Sequence, residues 1–158
     1  MATIQEMATF MRASFDRGFL EGMQGPTTFF ADRFESRFVP PRSTDGWFEG
    51  QRLRDYQVVE AAVFRSVMPD AHHTDVTVLT RADDQIIVVM TLAGTLNGHE
   101  PYECPVTMVY DIKDGFIVRV TGLYDQGKLT PFADAFDELA KTVDTPIEMT
   151  ARQRKPTG

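Results

Sequence analysis

Two dipeptides constrain this chain most: Asn97-Gly98 and Asp114-Gly115. Each joins a residue that tolerates positive φ to a glycine, which is the chemistry of a two-residue type I′ turn. Each also lies between runs of strand character. Gln85–Leu96 is rich in Ile, Val and Thr, a second run spans about Glu103–Ile112, and Phe116–Tyr124 follows. Turns this tight join antiparallel neighbours, so residues 85–124 read as a three-strand meander. Asp75–Thr80 alternates polar and apolar residues and adds a strand ahead of it, while Pro105 marks an edge or a bulge.

Ahead of residue 70 the apolar period is helical instead. Ile4, Met7, Met11 and Phe15 fall on one helix face, and Gly18, Gly22, Gly25 and Pro26 loosen and then end it. A short second helix is expected over residues 27–34, with Phe29, Phe30 and Phe34 inward. Pro40, Pro41 and Ser43-Thr44-Asp45-Gly46 mark a loop that runs on through Trp47 and Phe48. From Gln51 to Val67 the residues Leu53, Tyr56, Val59, Val63 and Val67 make one stripe, stopped at Met68-Pro69-Asp70. Thr130-Pro131 reads as an N-cap followed by proline at the first helical position. Phe132, Phe136, Leu139 and Val143 then form the apolar face of a closing helix. Helices first, a meander next and a closing helix last is an α+β order. The expected organisation is a single domain over residues 1–149 and a flexible polar tail over 150–158.

Charge narrows the partners. The 158 residues carry 16 basic and 23 acidic side chains, a net charge of −7, so phosphate backbones and anionic membranes are repelled. No nucleic-acid or membrane role is expected, and Arg152, Arg154 and Lys155 read as a solvated tail. Residues 1–15 lack a basic start and a continuous apolar run, so they resemble neither a signal peptide nor a membrane span. With Cys104 as the lone cysteine, no internal disulfide forms, and the expected location is cytoplasmic. No metal or cofactor is expected. His72 and His73 are adjacent on a strand and point to opposite faces, so they cannot share one ion, and a surface or single hydrogen-bonded role is expected. His99 and Glu100 sit at an exposed hairpin tip, and Cys104 reads as a buried small residue.

The strings "FFADRF" after the first helix, "PD" ahead of the second strand, "AGTLNG", "DIKDGFIVR" and "LYD" come in an order that resembles the NTF2-like superfamily. They are most similar to its SnoaL-like polyketide-cyclase and ketosteroid-isomerase branch, over residues 4–129. The resemblance implies a cone, in which a curved antiparallel sheet wraps around the N-terminal helices and leaves an apolar pocket. It also implies a homodimer paired through the sheet. The branch's chemistries include isomerisation, ring closure, dehydration and epoxide opening; other members only bind ligands.

Strand alternation nominates the pocket walls. With Tyr124 inward, Gly122, Val120 and Val118 share its face, as do Met108, Tyr110 and Ile112 across the hairpin. Val88, Met90, Leu92 and Gly94 follow on the next strand, and Trp47 and Tyr56 complete the expected lining. By the resemblance, Gly122 stands where epoxide hydrolases carry an acid, and Met90 and Leu92 where they carry an arginine and a second acid. The ketosteroid-isomerase base would fall at Val39, its tyrosine near Met11 or Ser14, and its protonated acid near Met108. Neither acid–base set is present. The remaining catalytic candidates are Tyr110, Tyr124 and Asp125, the last more readily an outward acid accepting backbone bonds.

Three functions are open. The cone holds a small, mostly apolar molecule, cyclic and steroid- or polyketide-like, with glycine at 122 widening the space. Alternatively it is a lyase, isomerase or cyclase using the pocket tyrosines with a further base, or a dimeric interaction domain. A buried pair of ionisable groups in the hollow would favour the enzyme.

Overall fold

The structure, a computed structural model, describes residues 1–42, 45–142 and 148–149. Helices α1 (Ile4–Phe15) and α2 (Phe19–Gln24) lead through a 3-10 turn, Gly25–Phe29, into strand β1 (Phe30–Val39). Strand β2 (Gly46–Glu49) and helix α3 (Gly50–Val67) follow. The meander is β3 (His72–Arg81), β4 (Gln85–Leu96), β5 (Glu100–Lys113) and β6 (Phe116–Tyr124). Helix α4 (Gln126–Leu129), a 3-10 turn at Thr130–Phe132, α5 (Ala133–Thr142) and the short β7 (Glu148–Met149) close the described chain.

All the described strands form one sheet in the order β3-β4-β5-β6-β1-β2-β7. Both expected hairpins are present, with φ of 50° and 81° at Asn97 and Gly98 and 52° and 80° at Asp114 and Gly115. The sheet is mixed rather than wholly antiparallel, because β1 runs parallel to β6. A parallel neighbour needs a long crossover, and everything from β2 to β5 supplies it.

One face of the sheet packs on the helices. Met7 and Met11 of α1 and Leu53 and Tyr56 of α3 meet Phe34, Ile86, Val88, Tyr110, Ile117 and Val120 from the strands in one buried cluster. Each fully buried side chain there contributes on the order of 1.5–3 kcal/mol. A second cluster joins Phe19, Met68, Leu92, Tyr102, Cys104 and Phe132 beneath the closing segment.

Four local expectations are corrected. Residues 30–39 form a strand, not the end of a helix. Phe30, Phe34 and Phe38 recur every four residues, which fits a period of 2 as well as one near 3.6, and pairing with β2 and β6 decides for the strand. On α3 the inward face is Leu53, Tyr56, Gln57, Glu60, Ala61 and Phe64, while Val59 is exposed. Two polar residues on that face displaced the apolar reading by part of a turn. On β6 a bulge shifts the register from Asp111↔Arg119 to Ile112↔Ile117, so Ile117 takes the inward place expected of Val118. Asp125, not Thr130, caps a helix: its carboxylate accepts from Gly127 N at 2.9 Å, and Thr130-Pro131 opens a 3-10 turn. Val143 and the tail from 150 to 158 lie outside the described residues.

Candidate functional site

Between the helices and the sheet lies a hollow with two lobes. The larger, about 140 Å³, is walled by Phe15, Phe19 and Phe64 from the helices and by Met90, Leu92 and Met108 from the sheet. The smaller, about 70 Å³, lies between Ser36, Phe48, Leu53, Tyr56 and Val120. Phe38, Gln57, Glu60, Met108 and Tyr110 belong to both lobes, so α3 presents its polar residues where the lobes meet. Arg42, Tyr124 and Leu129 stand between the larger lobe and an outer recess that also includes Gln126, Thr130 and Asp137. A cavity of roughly 150 Å³ holds a benzene-sized molecule, so the larger lobe admits one ring and the four-ring steroid skeleton exceeds it.

The helix that covers the sheet carries a buried carboxyl. Glu60 is only 14% exposed and Arg42 16%, with Arg42 Nη1 3.9 Å from Glu60 Oε2. Burial pushes the Glu60 carboxyl above its ordinary value of 4.5; the nearby Arg42 charge and a hydrogen bond from Tyr56 pull the other way without cancelling it. Arg42 is itself held between rings, its guanidinium 4.6 Å from the Phe38 centroid and 4.8 Å from that of Phe136. Phe38 in turn meets Tyr124 edge-on at 5.7 Å. The charged pair is thus fixed by aromatic packing from β1, β6 and α5.

His73 faces the larger lobe from β3. Phe19 stacks on its ring at 4.8 Å and Phe15 meets it at 5.2 Å and 89°. Burial, with a smaller effect from His72, pulls its pKa from 6.5 down to about 4, which leaves a neutral imidazole. Its Nδ1 and Oε1 of Gln57 are buried without a hydrogen-bond partner. His72, the neighbour, is exposed with Nδ1 2.9 Å from the carbonyl oxygen of Asp70. Alternation therefore separates the two histidines, and it places one of them in the hollow rather than on the surface.

The other nominated residues divide. Met90, Leu92, Met108, Tyr110 and Tyr124 line the larger lobe, and Tyr56 and Val120 the smaller. Tyr110 is buried, and burial raises its hydroxyl well above 10, so it stays protonated and keeps a proton to donate. Tyr124 donates to the carbonyl oxygen of Pro40 at 3.1 Å. Val88 packs into the main core. Trp47 is corrected: its neighbour Phe48 pairs with inward Phe34, so Trp47 pairs with Glu35 on the outer face, its ring 5.1 Å from the Arg33 guanidinium. Asp125 is exposed as the cap of α4.

Gly122 faces inward, yet the space over it is filled. A Cβ there would lie 2.5 Å and 2.6 Å from Cε1 and Cδ1 of Phe38 and 3.2 Å from Sδ of Met108. The glycine seats the Phe38 ring rather than widening the hollow. Sequence reasoning missed Glu60, Gln57 and Arg42. The spacing 53, 56, 57, 60, 61, 64 on α3 was the available signal for the first two. Nothing in the sequence brings Arg42 to Glu60.

Solved structures of the same shape exist. An NTF2-like protein from Burkholderia thailandensis superposes with a TM-score of 0.61 at 19% identity, covering 86% of this chain and 98% of that one. The chain has the NTF2-like fold. Within that fold, a protein with a ketosteroid isomerase-like fold from Catenulispora acidiphila, in complex with trimethylamine, gives 0.53 at 15% identity, covering 80% and 90%. A SnoaL-like polyketide cyclase from Agrobacterium tumefaciens gives 0.52 at 14% identity, covering 82% and 96%. Identities this low establish the NTF2-like architecture and not an activity. No protein-family model matches the chain, and no curated protein matches it. Among the described residues, no helix is long and apolar enough to cross a membrane.

Proposed function

We propose that the hollow binds a small, mostly apolar molecule of about one ring and moves a proton on it, with Glu60 as the base. The observation that carries this is a carboxyl of raised pKa on the wall common to both lobes. A buried carboxylate whose affinity for protons is raised by desolvation is suited to take one from carbon beside a carbonyl. In that step the C–H bond breaks, Glu60 gains the proton, and the electron pair moves onto the carbonyl oxygen. The donors at hand for that oxygen are the protonated Tyr110 hydroxyl and the Arg42 guanidinium. Returning the proton to another carbon gives an isomerase; loss of a neighbouring group gives a lyase, and attack on a second carbonyl a cyclase. The likeness to a ketosteroid isomerase-like fold and a SnoaL-like polyketide cyclase supports this range.

The test is solvent exchange. Cyclohexanone and 2-cyclohexenone incubated in D₂O with the protein should exchange their α-protons faster than in buffer alone, followed by proton NMR. Glu60→Gln should slow the exchange by about 100-fold or more while ligand binding persists. Binding without exchange in the wild-type protein would leave a carrier of apolar rings and remove the enzyme. We also propose that the protein pairs through the outer face of its sheet.

A further inference from the structure

Arg42 follows Pro40 and Pro41, just past the end of β1. Its guanidinium carbon lies 4.6 Å from the centroid of Phe38, whose ring walls both lobes, and 4.8 Å from that of Phe136, which walls the outer recess. The head group therefore stands at the boundary between the hollow and the recess. Tyr124 and Leu129 flank it and also belong to both spaces. The recess holds about 290 Å³ against about 140 Å³ in the larger lobe, so the room for a ligand does not end at the ring-sized hollow.

The hydrogen bonding of this cation is incomplete. A guanidinium has five N–H donors, and aromatic faces attract its charge without using those bonds up. Glu60 Oε2, 3.9 Å away, is beyond hydrogen-bond reach, and no described residue accepts from the Arg42 side chain. The donors are also reachable. The side chain is 16% exposed, and none of its nitrogens is sealed off as Gln57 Oε1 and His73 Nδ1 are. A positive charge withdrawn from most of its water with its donors unmade costs stability, which an anion seated on it would offset. Two acids adjoin the place. Asp137 is exposed at the rim, where water screens it, and Glu60 is buried, which disfavours its charge.

We infer that Arg42 reads an acidic group on the ligand, whose ring enters the larger lobe while a carboxylate on a short side chain stays at the mouth and pairs with the guanidinium. Two parallel N–H···O bonds match the planar fork to a carboxylate. Two of five donors suffice for that, so others remain for the enolate oxygen of the proton transfer proposed above. A phosphate dianion fits less well, because one guanidinium would leave its second charge unpaired beside Glu60 and Asp137. This rests on the reading of the hollow as a ligand site and names the class it takes: monocyclic molecules with a carboxylate on a short chain, preferred to their neutral counterparts.

Three probes share one ring and one chain length: 3-phenylpropanoate, the neutral 3-phenylpropanamide and the cationic 3-phenylpropylamine, their affinities measured by NMR titration at neutral pH. The wild-type protein should bind the acid about tenfold more tightly than the amide, and the amine least. Arg42→Gln should bring acid and amide to within about twofold of each other. Arg42→Lys, which keeps the charge and loses the fork, should retain only part of the preference. Should the variants misfold, the Nε–H signal of Arg42 in the wild-type protein must still move further with the acid than with the amide. Nuclear Overhauser effects should join the ring protons to the methyls of Met90 and Met108, and the side-chain methylenes to the methyl of Thr130. Equal affinities for acid and amide, a preference for the amine, no binding of any probe, or undiminished discrimination in Arg42→Gln would each overturn the assignment. So would an Arg42 signal that answers acid and amide alike, or ring protons seen at Thr130 instead of the methionines. Preference for the acid without α-proton exchange from the ketones would remove Glu60 as base and leave Arg42 as the reader; exchange without the preference would do the reverse.

Discussion

Glu60 and His73 line the same lobe, and burial penalises the charged form of each. The consequences for stability run in opposite directions with pH. Glu60 is raised above 4.5 in the fold, so its contribution is complete below 4.5 and is lost as pH rises through the folded value. His73 is lowered from 6.5 to about 4, so its contribution is complete above 6.5 and is lost as pH falls towards 4. Glu60→Gln is thus expected to gain on wild type as pH rises past 4.5 in urea unfolding. His73→Phe is expected to gain as pH falls below 6.5, by up to about 3 kcal/mol. Differences that do not vary with pH would show that neither group is held as described. At this scale the sequence was least legible. Leu92, Met108 and Tyr110 were found because alternation along a strand is strict, but Glu60 and Gln57 fall outside the apolar stripe of Leu53, Tyr56, Val59, Val63 and Val67. A charge is normally turned to water, and only the completed cone shows that here it is not.

Among the elements, the meander was readable because its turns have a chemistry of their own: Asn97-Gly98 and Asp114-Gly115 mark both connections, while the register beyond the second is set by the bulge between Asp111 and Ile112. β1 was not, since its phenylalanines satisfy two periods at once and its partners β2 and β6 are distant in sequence. The same strand explains Gly122. Phe38 reaches across from β1 to lie on the glycine of β6, and its ring then supports Arg42 and Tyr124. Glycine inside a strand ordinarily weakens it, so alanine would be expected to help. Here Gly122→Ala should instead destabilise by about 1–3 kcal/mol, because the added methyl overpacks against a ring that Arg42 and Tyr124 hold in place. Phe38→Leu in the same chain should recover part of that loss. Chemical denaturation measures both, and a change of Gly122→Ala within about 0.5 kcal/mol of zero would mean that the ring moves freely.

For the molecule as a whole, the sheet has an outer face as well as an inner one. The register lays Thr77, Val89, Thr107, Leu123 and Val39 side by side across five strands. Leu79, Val89 and Leu123 there are 50%, 40% and 39% exposed. A parallel row, Gln85, Asp111, Arg119 and Glu35, is polar, with Arg119 Nε donating to Glu35 Oε1 at 2.8 Å and Gln85 Nε2 to Asp111 Oδ1 at 2.9 Å. An apolar row bordered by a fixed ionic one suits a flat, self-complementary contact. Sedimentation at micromolar concentration should give a dimer, and Val89→Lys a monomer with the same ring affinity; a wild-type monomer at all concentrations would end that proposal. The proposed chemistry depends on the carboxyl inside the cone, and the decisive measurement is the titration of Glu60 by ¹³C NMR in the intact protein, with and without 2-cyclohexenone. A midpoint above 4.5 that shifts when the ketone is present is expected; a midpoint at or below 4.5, indifferent to the ketone, would take the base out of the hollow and the proposed chemistry with it.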